Sequence, residues 1–350
     1  MPSHRQAPLA ERRPRAETPA AYVKAIVTAY ARRSLSPVNA LAMAQITPSQ
    51  LTKPGAKVTA LQMEQLSLAA MRELDDEALG WFGRRLPWGS YGMLVRASLT
   101  APTLGLALAR WCRHHNLLTD DIHLALVAQQ GVARIELTIR NGLGDLQEFC
   151  VVSVLRNALG VACWLTDSRI ALLRTTLQFQ APLHQASYAV LFDGPSEFLA
   201  PRNALEFDAG YLALPVRRDE AALQRMLQRA LLLTVRPYRR DRLLVEKVRQ
   251  TLALHLPDIR NADDLAERLN MSARTLHRQL RDEGSSLQEV KDAVRRDLAT
   301  EQLHRSTRGL KQIAQSVGFQ NEKSFIRAFK SWTGSAPDAF RSAARAALDE

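Results

Sequence analysis

Two sets of basic side chains in the last third of the chain repeat a spacing of four and then three residues. The sets are Arg274, Arg278 and Arg281, with His277 beside them, and Lys323, Arg327 and Lys330, with Glu322 before them. Residues at this spacing lie on one face of an α-helix. Arginine and lysine there can donate hydrogen bonds to guanine or to phosphate oxygens, and a glutamate can accept one from cytosine N4. A solvated charged face explains one such set, but two sets favour contact with nucleic acid.

The residues around the first set predict a helix, a tight turn and a second helix. Asn261 can cap the first helix together with Asp264. Asn270 tolerates the left-handed backbone that a tight turn requires, and Ser272 can cap the second helix, over residues 273 to about 282. The residues expected to face inward are Leu265, Ala266, Leu269, Leu276 and Leu280. A small residue where the helices cross lets them approach closely, as a helix-turn-helix unit requires.

The same order of features recurs about fifty residues later and predicts a second helix-turn-helix unit. Gly318 takes the turn position four residues after Ala314, and Asn321 can cap the helix that carries the second basic set. The residues expected to face inward are Ile313, Ala314, Val317, Phe325, Phe329 and Trp332.

One continuous amphipathic helix is predicted between the two units, from Leu287 to His304, with Leu287, Val290, Val294 and Leu298 on its apolar side. Its 18 residues correspond to about 27 Å at 1.5 Å per residue. Such a helix would hold the two recognition helices close to one DNA turn apart, about 34 Å.

The length and the charge of the chain indicate how it is divided into domains. Its 350 residues exceed the ~250–300 residues at which one hydrophobic core stops growing, so two domains are expected. Lys and Arg number 47 against 35 Asp and Glu, which favours a polyanionic partner. Pro237 disfavours helix at Arg236, which places the junction there. We therefore predict a basic disordered arm over 1–19, a ligand-pocket domain over 20–236 and a nucleic-acid-binding domain over 237–350.

Residues 20–236 have the pattern of a mixed α+β domain. We expect a mostly helical region from Ala20 to about His115, and then a β-hairpin with its turn at Gln130-Gly131. A helix near 145–160, strands near 175–180 and 189–192, and a helix over 220–233 complete the prediction. The expected fold is an α+β N-terminal domain followed by an all-α C-terminal domain with two helix-turn-helix units.

One segment suggests catalytic or metal chemistry, because Cys112, His114 and His115 fall within four residues. Adjacent histidines on a helix point about 100° apart, unlike the same-face spacing of metal-binding pairs. A helix C-terminus rich in His and Arg, which faces the negative end of the helix dipole, is the interpretation we favour. No catalytic residue, metal site or cofactor is predicted.

The sequence also predicts the compartment. The first twenty residues lack the apolar segment of a secretory signal. The longest apolar run, Cys150 to Leu165, is interrupted by Arg156 and Asn157, so no run is long enough to span a membrane. Three cysteines without a CxxC pair argue against a disulfide framework. We expect a cytoplasmic protein with no membrane partner.

The C-terminal third resembles transcription regulators of the AraC/XylS family. Ser272 to Arg278, followed by Gly284-Ser285-Ser286-Leu287, resembles the family's first helix-turn-helix, and the ordered motif from Ile313 to Arg341 resembles its C-terminal signature. Phe340 stands where the family commonly has tyrosine. The resemblance implies a seven-helix module over about 243–346. It implies DNA-facing positions at Ala273, Arg274, His277, Arg278, Glu322, Lys323, Ser324 and Arg327; the basic spacing adds Arg281 and Lys330.

The N-terminal two-thirds resembles the effector domain of the subgroup that contains ornithine-utilisation regulators, which by convention is called arabinose-binding. The resemblance rests on Trp88-Gly89-x-x-Gly92, on residues 101–108 and on scattered residues from Tyr188 to Pro215. It implies a small-molecule effector, such as an amino acid or a related metabolite, with no ligand contact assigned. It also implies RNA polymerase as a partner and homodimer formation through this domain.

The function expected is therefore a ligand-responsive, sequence-specific bacterial regulator, an activator, which inserts two recognition helices into adjacent major grooves of double-stranded operator DNA. One alternative is a non-specific architectural DNA-binding protein, for which the charge alone suffices. Another is an AraC-type module fused to an enzyme such as a DNA alkyltransferase or an amidase. Each of those enzymes needs a reactive cysteine in a defined motif, which Cys112, Cys150 and Cys163 do not show.

Overall fold

The computed structural model describes residues 17–53, 55–228 and 241–342. The chain divides into two compact units between Arg239 and Arg240. The predicted junction at Arg236 lies outside the described residues, as do residues 1–16 of the predicted arm. Its last three residues form a strand, because Glu17–Pro19 pairs antiparallel with Lys57–Thr59.

The first part of the N-terminal unit is mainly helical, as the apolar pattern predicts. Its elements are β1 (Glu17–Pro19), α1 (Ala20–Arg32), α2 (Val38–Met43), α3 (Pro48–Thr52), β2 (Lys57–Thr59), α4 (Ala60–Glu73), α5 (Ser90–Leu99) and α6 (Leu104–His115). The sequence missed both strands, since three residues are too few to show alternation.

A five-stranded sheet follows, in the order β3-β4-β7-β5-β6. Its strands are β3 (Ile122–Gln129), β4 (Val132–Ile139), β5 (Leu172–Thr176), β6 (Ser196–Glu197) and β7 (Asn203–Asp208). Strands β3 and β4 form the predicted hairpin, with Gln129 opposite Val132. Gln130 and Gly131 have φ angles of 50° and 78°, as a two-residue hairpin turn with left-handed backbone requires.

The other elements of this unit differ from the prediction in instructive ways. Helix α7 (Gln147–Thr166) is longer than predicted, and strand β5 begins three residues earlier. The strand predicted near 189–192 is wrong, because Tyr188–Phe192 is helix α8 and buries Tyr188 and Phe192 four residues apart on one side. Strand β7 was missed because five of its six residues are buried, which removes the alternation. Helix α9 (Glu220–Leu227) begins where expected, and residues 229–233 lie outside the described residues.

Helix α7 is the central helix of the N-terminal unit. The segment Gly144–Thr166 is long and apolar enough to qualify as a membrane span, contrary to the expectation that no run was long enough. Its most apolar window is 89% buried inside the protein. The hydropathy of α7 is therefore that of a core helix.

The cysteine and histidines that suggested chemistry lie at the C-terminal end of α6, where the sequence placed them. Cys112 and His115 are buried within the unit, and Cys112, Cys150 and Cys163, all among the described residues, form no disulfide. The His115 ring contacts Phe82 edge to face and lies near the Tyr91 ring. The described residues contain no group of three potential metal ligands, and Cys112 and His115 pack among buried residues of the unit.

We predict that His115→Gln flattens the pH dependence of stability between about pH 6.5 and pH 4. Burial lowers the pKa of His115 to about 4, whereas histidine in an unfolded chain titrates near ~6.5. Between these two pKa values the unfolded chain binds a proton that the folded chain does not. The contribution of His115 to the free energy of unfolding is therefore fully present above pH 6.5 and is lost as the pH falls through 4. The slope from this group is up to about 1.4 kcal/mol per pH unit. Denaturation monitored by hydrogen exchange within residues 104–115 measures the free energy of unfolding at each pH. Equal slopes in the wild-type protein and the His115→Gln variant would contradict the prediction.

The described part of the C-terminal unit contains seven helical segments and no strand, and six of the segments are labelled here. They are α10 (Leu243–His255), α11 (Ala262–Arg268), α12 (Ala273–Asp282), α13 (Leu287–Arg305), α14 (Leu310–Ser316) and α15 (Glu322–Thr333). Residues 337–342 are also helical. The predicted order of elements is therefore found.

Candidate nucleic-acid interface

Helices α11 and α12 form the first helix-turn-helix unit. Asn261 Oδ1 accepts a hydrogen bond from the Asp264 N–H at 2.9 Å, and the Asp264 carboxylate accepts from the Asn261 N–H in return. Asn270 has a φ of 53°, and the Met271 N–H donates to the Ala266 carbonyl at 2.9 Å. Ser272 Oγ then caps α12 by accepting from the Thr275 N–H. The predicted caps and turn of this unit are confirmed.

Helices α14 and α15 repeat this geometry and form the second helix-turn-helix unit. The turn residues of the two units are 48 positions apart. Gly318, with a φ of 77°, corresponds to Asn270, and the Phe319 N–H donates to the Ala314 carbonyl at 2.8 Å, as Met271 does to Ala266. Asn321 Oδ1 caps α15 by accepting from the Ser324 N–H at 2.8 Å. The same backbone hydrogen bond to an alanine carbonyl therefore fixes both turns.

One hydrophobic core holds both units and the helix between them. Leu265, Leu280, Val294, Phe325 and Phe329 are all buried in it, as the sequence predicts. Trp332 is only half-buried against this core, and its ring lies 6.0 Å from that of Phe319. The two recognition helices are thus packed on common residues rather than joined by a flexible linker.

Helix α13 connects the two units as one continuous helix, as predicted. Its 19 residues correspond to about 28 Å. Lys291 Nζ donates to the Ile259 carbonyl before α11. The Arg295 guanidinium lies 4.7 Å from the centre of the Phe319 ring and donates to the Gly318 carbonyl. Helix α13 therefore contacts the start of the first unit and the turn of the second.

The predicted DNA-facing residues lie on the second helix of each unit. Helix α12 carries Ala273, Arg274, His277, Arg278 and Arg281, and α15 carries Glu322, Lys323, Ser324, Arg327 and Lys330. All seven basic side chains are exposed, whereas Ala273, Glu322 and Ser324, at the helix starts, are half-buried. We call Arg274, His277, Arg278 and Arg281 the first basic face, and Lys323, Arg327 and Lys330 the second.

Among the residues that the structure describes, no partner neutralises either basic face. Within the described residues, none of the seven side chains makes an ion pair or a hydrogen bond. On α13, by contrast, Arg305 pairs with Glu301, and Asp297 pairs with both Arg249 and Arg296. The charges of the two basic faces are thus available to a polyanion.

Glu283, which the sequence analysis did not identify, ties the first recognition helix to the N-terminus of α10. Its carboxylate oxygens accept hydrogen bonds from the Leu244 and Val245 N–H groups at 3.0 and 2.8 Å. Burial raises the pKa of this carboxyl group, and the two N–H groups partly offset the shift. The sequence around Glu283, which directly follows the end of α12, does not indicate this role. The N–H groups that Glu283 binds lie 38 and 39 residues away in the chain.

We predict that Glu283→Ala lowers the free energy of unfolding of the C-terminal unit by about 1–3 kcal/mol, because the buried Leu244 N–H and the partly buried Val245 N–H lose their acceptor. Hydrogen exchange within residues 243–255 of the full chain measures the loss. Glu301→Ala, which removes an exposed carboxylate from the same unit, is the matched control and is expected to change stability by less than about 0.5 kcal/mol. Equal effects of the two variants would contradict the prediction.

The N-terminal unit contains a second candidate site, a cavity of about 310 Å³. Its wall is mostly apolar and includes five aromatic side chains: Tyr22, Trp81, Trp88, Tyr91 and Phe149. Met226 and Leu227, at the end of α9, also line it. Volume and lining are those of a small-molecule site.

The motif Trp88-Gly89-x-x-Gly92 builds one side of this cavity. Gly89, with a φ of 99°, precedes α5, and the Gly89 and Tyr91 N–H groups donate to the two carboxylate oxygens of Glu77. A Cβ atom on Gly92 would lie 3.2 Å from Leu227. The lack of a side chain at Gly92 therefore lets Leu227 of α9 pack closely against this side of the cavity.

Comparison with known proteins assigns both units. A model of the arabinose-binding N-terminal domain of AraC transcription regulators matches residues 35–216, more than half of the chain, and a helix-turn-helix domain model matches residues 265–343. The chain belongs to the AraC family of transcription regulators, with an effector-binding N-terminal domain and a helix-turn-helix DNA-binding domain. The resemblance found in the sequence is confirmed.

Individual relatives match over nearly the whole length. The ornithine utilization regulator of Pseudomonas aeruginosa is 29% identical over 329 residues, 93% of this chain and 96% of the relative. An uncharacterized HTH-type transcriptional regulator of Mycobacterium tuberculosis is 24% identical over 330 residues, 88% and 91% of the two chains. Among solved structures, transcriptional regulator CdpR from Pseudomonas aeruginosa is 20% identical, with a TM-score of 0.32 and coverage of 87% and 96%.

Proposed function

We propose that this regulator is a cytoplasmic activator that reads operator DNA with both helix-turn-helix units and responds to a small molecule in the cavity of its N-terminal unit. The two unpaired basic faces, each on the second helix of its unit, carry the DNA part of the proposal. Arg274, Arg278 and Arg327 are its base-reading candidates, since arginine pairs bidentately with guanine. Residues 20–236 form the effector domain and residues 237–350 the DNA-binding domain.

The remaining site residues fit supporting roles. Arg281, Lys323 and Lys330 can contact phosphates on either side of a groove, which sets position rather than sequence. Ser324 and Ala273, at the helix starts, are small enough to let the backbone approach a base edge. Glu322 can accept from cytosine N4, and His277 can donate to a base or a phosphate.

The cavity supports the regulatory part of the proposal. Because Met226 and Leu227 belong to α9, the last described element before the junction, a ligand that contacts them touches the segment leading to the DNA-binding domain. The relative in Pseudomonas aeruginosa is named for ornithine utilization, and by similarity we propose an amino acid or a related metabolite as the effector. Contact with RNA polymerase and homodimer formation through the effector domain complete the proposal.

The length of α13 adds a geometric expectation. About 28 Å of helix is shorter than the ~34 Å between successive major grooves on one face of straight B-DNA. The helix is packed along its length, so we expect the DNA rather than the protein to bend if both recognition helices insert. Bending a site of 20–30 base pairs costs on the order of 1–6 kcal/mol, which the contacts of two basic faces can offset.

The test begins with operator sites selected from random DNA by the full chain. Hydroxyl-radical footprinting is expected to protect two regions about one helical turn apart, and circular-permutation gel shifts are expected to show a bend. Protection of one groove with uniform mobility would refute insertion of both helices. Equal affinity for selected and random DNA would instead indicate an architectural, non-specific binder.

A further inference from the structure

Polar side chains form a stripe on the otherwise apolar helix α7 where it borders the cavity. Ser153, Arg156 and Asn157, three and four residues apart along the helix, share one face, and all three line the cavity. Most other residues of α7 are buried and apolar. Ser67 and Glu64, on α4, are the polar residues of the neighbouring wall.

Arg156 gives this stripe a buried positive charge. Its side chain is 7% exposed, and burial lowers the pKa of the guanidinium to about 10, while Cys163 and Asp193 act in the opposite direction. The group therefore remains protonated at neutral pH. An anionic ligand atom in the cavity would gain from a charge that is shielded from water.

Trp81 supplies a hydrogen-bond donor without an acceptor. The side chain lines the cavity and is 7% exposed, and within the described residues its buried Nε1–H meets no acceptor. A buried donor without a partner costs free energy. A ligand oxygen would remove that cost.

Two acidic residues of the wall, Glu77 and Glu64, both interact within the protein. Both carboxylate oxygens of Glu77 accept backbone N–H groups and hold the start of α5. Glu64 is 2% exposed, belongs to the cavity wall and also has a partner in the protein. The negative charge of Glu64 would still favour a ligand ammonium group placed near it.

We propose that the cavity binds a small carboxylate with an apolar body, the carboxylate at Arg156, Asn157 and Trp81 and the body against the aromatic wall. An amine without a carboxylate would meet the Arg156 charge. The inference rests on the proposed effector function, which it makes chemically specific.

Calorimetric titration of the full chain tests the ligand class. The probes are hexanoate, octanoate and 3-phenylpropanoate, each with its matched primary amine and amide, and L-norleucine and L-phenylalanine. At least one carboxylate is expected to bind once per chain, and at least tenfold more tightly than its amine or amide. Tighter binding of the amino acid than of the plain acid would assign Glu64 to the ammonium group, and equal binding would leave the carboxylate as the recognised group. No binding by any carboxylate, or equal binding by its amine, would overturn the proposal.

Two variants locate the carboxylate. Arg156→Met is expected to weaken binding about 10–100-fold, and Arg156→Lys to restore part of it, because hydrogen bonds to a charged group are the strong ones. Trp81→Phe removes only the N–H donor from a ring of similar shape and is expected to cost about tenfold. Trp111→Phe is the matched control, since its indole N–H is also buried and has no acceptor in the described part of the chain, but Trp111 does not line the cavity. Equal losses in both tryptophan variants would overturn the assignment.

Operator affinity measured on the same preparations separates this inference from the proposed function. If carboxylates bind but leave operator affinity unchanged, the effector role fails and the ligand class stands. If operator affinity responds to an uncharged or cationic ligand regardless of Arg156→Met, the ligand class fails and the effector role stands.

Discussion

Replacing Arg278 and Arg327 together by alanine is expected to weaken binding to the selected operator by about 30-fold to 10⁴-fold. Each arginine that reads a base is worth about 1–3 kcal/mol, and the two lie on separate recognition helices, so their effects should nearly add. Both side chains are exposed and unpaired within the described residues, so their removal should leave folding intact. Fluorescence anisotropy at fixed salt measures the affinity for operator and for random DNA.

The matched control removes the same charge from the same unit. Arg296 and Arg305 are exposed on α13 and pair with Asp297 and Glu301, so their double alanine variant should lower operator affinity much less. The two variants should also differ in specificity, since loss of base contacts lowers operator affinity more than affinity for random DNA. Equal losses in the two double variants would mean that net charge, not the position of Arg278 and Arg327, drives binding.

Replacing Phe329 by alanine is expected to destabilise the C-terminal unit by about 3–5 kcal/mol, because a large buried side chain leaves a cavity that the core refills only in part. Phe329 is fully buried, and its ring lies 5.7 Å from that of Phe325 and 5.4 Å from that of Phe340. Operator binding should fall along with stability, although Phe329 lies on the side of α15 away from the second basic face.

Hydrogen exchange of the full chain measures this effect unit by unit. Protection should fall throughout residues 243–333, including α12 in the first helix-turn-helix, because both units share the core. Protection of residues 104–166 should stay unchanged. Ser331→Ala, at an exposed position on the same helix, is the control. Loss of protection confined to α14 and α15 would show that the two units are stabilised separately.

The C-terminal unit could be predicted from sequence because its determinants are local. Asn261 and Ser272 meet their partners within three residues, and Asn270 and Gly318 mark turns by their own conformational freedom. Because the same caps and turns occur twice, each helix-turn-helix prediction supported the other. Glu283 escaped detection because it acts at a distance of nearly forty residues.

The N-terminal unit was less predictable because tertiary packing decides it. Residues 189–192 suited a strand by composition, yet they belong to a short helix that buries Tyr188 and Phe192 on one side. The cavity needed residues from α4, α5, α7 and α9 together, which no single segment reveals. Arg156 and Asn157 did carry a signal, since they interrupt the most apolar stretch of the chain. That interruption marks the polar stripe of the cavity.

The two basic faces are not copies of one another: one carries three arginines and a histidine, the other two lysines and an arginine behind a glutamate. A DNA site that matches both basic faces is therefore asymmetric, that is, not palindromic. A single chain bound to such a site has a defined orientation, so inverting the site beside a promoter would exchange the positions of the two helix-turn-helix units. The orientation of each site in a genome is therefore expected to matter as much as its sequence.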